Sequence, residues 1–296
     1  MNSLLIAGRA VWFYVGKLFW PYKLAFIYDR WDINAAVLWQ YLYPLAALTL
    51  LLILWLLRRR LGRGPLVAAL FFGGTLFPAL GFINVYPMRY SFVADHFQYL
   101  ASLGVITLVI ASLASLVRGW RWRWAPPALG AALLLIFGVC TWRQARLYDN
   151  AENLWRDTLT KSPNASVAAN NLWIALGRQG RFQEAIPFLE TAVRVHPTDE
   201  QCRNNLANAY ADAGRLADAL RVYHAALAQW PNSARLHYNL GTTYARAGRL
   251  DEAIAHLTQA VRLDRQGRIP AARDNLALAL QQRATQPASQ PATRLP

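Results

Sequence analysis

In the first half of the chain, the side chains best suited to chemistry lie in residues 84–99, NVYPMRYSFVADHFQY. Arg89 offers a planar fork of donors that suits a phosphate, and His96 can join it. Asp95 can orient either of them or an acceptor hydroxyl. Tyr90 and Tyr99 can stack on a sugar ring or sit at a lipid boundary. The same residues also suit an interfacial loop in which Arg89 pairs with Asp95 and the aromatics act as anchors. No nucleophile–base arrangement accompanies them. The five histidines (His96, His196, His224, His237, His256) are scattered, and the two cysteines, Cys140 and Cys202, build neither a disulfide framework nor a metal site. The pattern predicts no metal and no cofactor.

The elements that must position this loop follow from composition. Of 296 residues 55% are hydrophobic and only 16% charged, with a formal net charge of +15. A soluble globular chain carries about 25% charged residues. The shortage is confined to one half: residues 1–142 hold 12 Lys and Arg against 3 acidic residues (Asp29, Asp32, Asp95), whereas residues 143–296 hold 19 against 13. A single soluble domain is excluded, and two domains of different physical class are expected, 1–142 and 143–282. The basic residues of the first half sit in short clusters between apolar runs, a pattern of membrane topology and not of a nucleic-acid surface.

Four apolar runs approach bilayer length: 38–57, 66–83, 99–117 and 125–142. Arg58, Arg59, Arg60 and Arg63 follow the first, and Arg118, Arg121 and Arg123 follow the third, so both loops are expected in the cytoplasm. Residues 84–98 then face outward, and everything after Trp142 is extracytoplasmic. The first segment, residues 4–28, carries Lys17 near its middle, which is costly in a free span. It is expected to lie at the interface or to pack against neighbours, with Arg9 and Lys17 on one polar flank.

The second half is repetitive. Gly180-Arg181, Gly214-Arg215 and Gly248-Arg249 recur at a spacing of 34, as do Pro163, Pro197 and Pro231. The columns Ala185/Ala219/Ala253 and Ala192/Ala226/Ala260 keep the same period, and Asn171-Leu172, Asn205-Leu206 and Asn239-Leu240 open each unit. This resembles the tetratricopeptide repeat (TPR) family, in which paired antiparallel helices stack into a solenoid. The expected units are 166–199, 200–233 and 234–267, preceded by a degenerate half-repeat at 145–163. A capping helix at 273–282 and a disordered tail at 283–296 follow. The fold class is therefore all-α: about four spans, an interfacial N-terminal helix and an α-solenoid.

A TPR superhelix has a groove lined by the first helix of each unit. The candidates here are Asn170, Asn171, Ile174, Asn204, Asn205, Asn208, Tyr238, Asn239 and Thr242. The column Asn171, Asn205, Asn239, continued by Asn275 after a two-residue slip, resembles the asparagine ladder of O-linked N-acetylglucosamine transferases. Such amides suit an extended peptide backbone, and they equally suit contacts within the repeats.

The strings RAVWFYVGKLFWP (9–21), FIYDRW (26–31) and NVYPMRYSFVADHFQYLASLG (84–104) resemble bacterial relatives of the transmembrane and TPR-repeat-containing O-mannosyltransferases, which are GT-C glycosyltransferases. The resemblance implies an integral protein of the bacterial inner membrane. Its implied partners are the bilayer, a peptide in the TPR groove, and a polyprenyl-phosphate sugar contacted by the 84–99 loop. The family's acidic catalytic motif on a first outer loop has no counterpart in residues 1–142. The resemblance therefore covers the C-terminal part of such an enzyme. The expected role is a membrane-anchored peptide-binding protein, a partial relative that is not active alone; the alternative is the C-terminal half of a protein O-glycosyltransferase.

Overall fold

The computed structural model describes residues 2–82, 91–117 and 124–285. These residues form thirteen α-helices with short 3-10 turns, and no strand occurs among them. The chain divides into two units, residues 1–168 and 169–296.

In the first unit, α1 (Asn2–Phe19) is an internal packing element. Its small residues allow close approach: a Cβ on Gly8 would lie 2.5 Å from Cδ of Pro44, at the start of α2 (Leu42–Leu57). Trp12 donates to the Tyr43 carbonyl at 3.0 Å. Ala7, Ala10 and Tyr14 of α1 form one buried core with Phe72 and Leu76 of α3 (Gly64–Leu76), Leu80, Val93, and Ala101 of α4 (Tyr99–Leu116). The two basic residues of α1 rest on aromatic faces: Arg9 lies 4.7 Å from the Trp31 ring and Lys17 lies 5.1 Å from that of Tyr28. A cation over a ring keeps a partner without full hydration, which is how α1 accommodates both charges.

Among the described residues, three helical stretches are long and apolar enough to cross a bilayer: Leu38–Leu57, Asp95–Leu116 and Pro126–Tyr148. Their apolar side chains are largely uncovered; Leu134 and Leu135 are 75% and 70% exposed. The run expected as a further span at 66–83 is a shorter apolar helix, Gly64–Ala79. Pro78 accounts for the difference. It lacks the N–H that would continue the ladder, the backbone tightens to a 3-10 turn at Phe77–Ala79, and Gly81 then takes φ +83°. α3 runs antiparallel to α4, with Gly64 near Leu108 and Gly104 against Ala68 and Phe71. After α5 (Ala125–Ala145) and a 3-10 turn at Arg146–Tyr148, α6 (Ala151–Lys161) starts at Asn150, whose side chain accepts from the Glu152 N–H.

The second unit is a succession of helix pairs: α7 (Ser166–Gly177) with a 3-10 turn and α8 (Ile186–Val195), α9 (Glu200–Asp212) with α10 (Leu216–Gln229), and α11 (Ala234–Arg246) with α12 (Leu250–Leu263). Gly180, Gly214 and Gly248 take φ of +72°, +78° and +73° in the tight turns, where a Cβ would be strained. Ala219, Ala226, Ala253 and Ala260 are fully buried between helices. Asp199 and Ser233 cap α9 and α11 through their side chains. α13 (Ala271–Thr285) packs on α12 and runs three residues past the expected end of the capping helix. The rest of the expected disordered tail, residues 286–296, lies outside the described residues.

Candidate functional site

Of the five candidates in the 84–99 loop, Arg89 and Tyr90 lie outside the described residues. Asp95 opens a 3-10 turn, Asp95–Gln98, that leads directly into α4. It is half-buried, whereas His96 and Tyr99 are exposed. His96 packs edge-on against Phe97 at 4.6 Å.

Asp95 gathers residues that the sequence did not single out individually. The Tyr28 hydroxyl donates to its carboxylate, 2.8 Å from Oδ1 and 3.0 Å from Oδ2. The same oxygen accepts from the Ala25 N–H at 3.1 Å. The preceding peptide is fixed too: the Ala94 N–H donates to the Tyr14 hydroxyl at 3.1 Å, inside the core. Phe13 meets Tyr14, Tyr28 and Trp31 edge-to-face at 5.4, 4.9 and 5.8 Å. Burial, reinforced by the Asp95 charge, raises the Tyr28 hydroxyl well above the usual tyrosine range, so it stays a donor.

Two ammonium groups hold the segment that carries Tyr28. Lys17 donates to the Tyr22 carbonyl and, at 3.1 Å, to that of Lys23. Lys161 donates to the Leu24 carbonyl at 2.7 Å and pairs with Asp157 at 2.6 Å. Three consecutive carbonyls are thereby pinned around Lys23, whose φ is +52°. Phe26 closes the arrangement against Trp155 at 5.4 Å and Tyr148 at 6.0 Å. One carboxylate is thus oriented by a phenol within a ring of aromatic and cationic groups. Among the described residues no three His, Cys, Asp or Glu side chains converge as metal ligands. Tyr14, Lys17 and Tyr28 lie inside the strings 9–21 and 26–31, but nothing in their spacing points to Asp95.

The asparagine candidates of the second unit form a column between successive helix pairs. Asn205 Nδ2 donates to Asn170 Oδ1 at 2.6 Å, 35 residues away, and Asn239 Nδ2 donates to Asn204 Oδ1 at 2.7 Å, again 35 away. Asn275 Nδ2 donates to the Tyr238 hydroxyl at 3.0 Å, 37 residues away. The last step absorbs the two-residue slip, so Asn275 of α13 occupies the place that Asn205 and Asn239 hold in their units. Gln201 also donates to Asn205 Oδ1 at 2.6 Å, and the Tyr223 hydroxyl donates to Asn208. Asn204 and Asn205 are only 3% and 6% exposed. Their amides are engaged with one another, while Ile174 is exposed and Asn171 and Thr242 are half-exposed on the same helices.

A tetratricopeptide repeat model matches residues 204–268, and a bacterial transcriptional activator domain model matches residues 130–230. Protein O-mannosyl-transferase TMTC1 of Homo sapiens is 27% identical over 218 residues, which are 65% of this chain and 24% of that protein. The chain thus spans about a quarter of the length of that relative. A crystal structure of MamA is 22% identical, covers 48% of this chain and 82% of its own, and has a TM-score of 0.40. YrrB, described as a TPR protein with an unusual peptide-binding site, is 23% identical over 48% of this chain and 69% of its own, with a TM-score of 0.37. The family model and the 34-residue columns agree on one point: the repeats of the second half are tetratricopeptide repeats.

Proposed function

We propose that this chain is a membrane-anchored TPR protein that presents a peptide- or protein-binding groove outside the cytoplasm, in the bacterial inner membrane. One observation carries the reading: span-length helices with uncovered apolar side chains stand in the same chain as tetratricopeptide repeats. Uncovered leucines on every side of a helix suit hydrocarbon and not water. Arg58, Arg59, Arg60 and Arg63 mark the cytoplasmic end of α2. α3, antiparallel to α4, brings the chain back toward Asp95 even though its 13 residues reach only about 20 Å. The α4 and α5 helices then leave the repeats outside.

Within the repeats, the asparagine column bridges successive units. The exposed and half-exposed positions beside it, Asn171, Ile174, Asn208, Tyr238 and Thr242, offer the groove surface. A second reading is supported by the likeness to the O-mannosyl-transferase: the chain as the C-terminal part of a protein O-glycosyltransferase whose repeats recruit the acceptor. In that reading Asp95, held by Tyr28, faces the sugar donor or the acceptor hydroxyl, with a polyprenyl-phosphate sugar as donor.

The test uses the full chain in bacterial cells with Cys140 and Cys202 replaced by Ser. Single cysteines at Arg60 and Arg178 are probed with a membrane-impermeant maleimide. The reading expects Arg178→Cys to label from the periplasmic side and Arg60→Cys to label only after the inner membrane is opened. Labelling in the reverse order would overturn the orientation. A photo-crosslinker at Ile174 that captures no more periplasmic peptide than one at Arg221, on the second helix of its unit, would remove the groove.

A further inference from the structure

Three histidines and a tyrosine from successive helices meet where the second and third repeats join: His224 on α10, His237 and Tyr244 on α11, and His256 on α12. The Nδ1 atoms of His237 and His256 are 3.0 Å apart, and their rings stack with centroids at 5.3 Å. The other nitrogen of His237, Nε2, lies 3.1 Å from the carbonyl oxygen of Pro231. A carbonyl only accepts, so Nε2 carries a proton, and in a neutral ring Nδ1 is then an acceptor. The contact therefore requires the proton of His256 to sit on its Nδ1. His256 also lies flat on Tyr244, with centroids at 5.6 Å and planes 7° apart, and the Tyr244 hydroxyl is 2.6 Å from His224 Nε2.

We propose that the His237–His256 pair is an acid-sensitive fastener of the third repeat: only one proton fits between the two Nδ1 atoms, and charging both rings releases α12 from α11. With both rings cationic, two N–H groups oppose each other at hydrogen-bond distance beside two like charges. The surrounding charges do little to relieve this. On α12 itself, Glu252 is held by Arg249 at 2.5 Å. Arg249 lies over the Tyr244 ring at 4.6 Å and opposes a charge on His224. On α10, His224 adds a third imidazole, and on α13 Arg283 is taken by Asp251. Burial first, then His237 and His224, push His256 from 6.5 down to about 4. The unfolded chain thus binds a proton in a range where the folded one does not. Stability of this repeat falls as pH drops from about 6.5 toward 4 and is fully present above that window.

Hydrogen exchange on the full chain in detergent micelles with EDTA tests the proposal, at about pH 7 and about pH 5 and corrected for intrinsic rates. Peptides within 234–263 should lose protection by of order tenfold at the lower pH, while those of α9 do not. His256→Phe keeps the stack on Tyr244 and removes the charge, so it should abolish the difference. Equal loss in α9 and in 234–263, or the full loss retained in His256→Phe, would overturn the fastener. Histidine 15N shifts of the unmutated chain give a readout independent of any variant. His256 titrating below about pH 5 supports the proposal, and titration near 6.5 overturns it.

Discussion

Tyr28 and Asp95, 67 residues apart in sequence, are joined by one hydroxyl: the phenol donates to the carboxylate, 2.8 and 3.0 Å from its two oxygens. The same hydroxyl accepts from the Ala25 N–H, so one oxygen ties the segment after α1 to the loop that precedes α4. Because the Ala94 N–H is held by Tyr14, the carboxylate is fixed from two sides by tyrosines that start in or near one helix.

Tyr28→Phe keeps the ring, and with it the contacts to Phe13 and Lys17, and removes the donor. A half-buried carboxylate that loses a hydrogen bond costs about 1–3 kcal/mol. The thermal midpoint of the full chain in detergent should therefore fall. Asp95→Asn, whose amide oxygen still accepts, should cost less, and the two substitutions together should cost less than their sum. An unchanged midpoint for Tyr28→Phe would show that the contact contributes nothing.

Gly241 of α11 lies close against α12. A Cβ there would meet Leu257 Cγ at 2.8 Å, the Leu257 backbone nitrogen at 3.1 Å and the Ala253 carbonyl oxygen at 3.2 Å. Helix propensity favours alanine over glycine by about 1 kcal/mol. Here the clash with backbone outweighs that gain, and Gly241→Ala should destabilise the chain by about 1–3 kcal/mol. Gly16 in α1 has nothing within 4 Å of an added Cβ, so Gly16→Ala should be neutral or slightly stabilising. Denaturation of both variants in detergent checks the difference in sign.

The repeats were legible because their signals are local and periodic. Glycines that take positive φ and alanines that vanish between helices recur every 34 residues, and each reports its own environment. The first unit was less legible. Lys17 argued against a free span, yet its placement over Tyr28 depends on a segment folding back, which no period encodes. The run at 66–83 reads as one apolar stretch, yet its helix stops at Ala79, because one missing N–H at Pro78 ends the ladder. Asp95 was visible as a lone acid, but its partner lay in another string with no spacing to link them. The asparagines were visible at a period of 34, but their bonds join residues 35 apart, a pairing that exists only once one unit stacks on the next.

That stacking gives the last prediction. Asn205 bridges Asn170, through its Nδ2 at 2.6 Å, and Gln201, through its Oδ1 at 2.6 Å, at an almost fully buried site. Asn205→Ala leaves the Asn170 carbonyl without this donor and should cost about 1–3 kcal/mol. Asn205→Asp is the sharper probe. It replaces the donor by a carboxylate oxygen facing Asn170 Oδ1, and a buried charge opposite an acceptor costs more than a lost bond. In a repeat array the damage stays near the broken junction, since each unit touches only its neighbours. Hydrogen exchange in the full chain should therefore rise in α7 and α9 while α12 and α13 keep their protection. Asn171→Ala, which breaks none of the bonds of the column, should leave both regions unchanged. If Asn205→Asp loosens α12 as much as α7, the column does not act junction by junction and the array unfolds as one body.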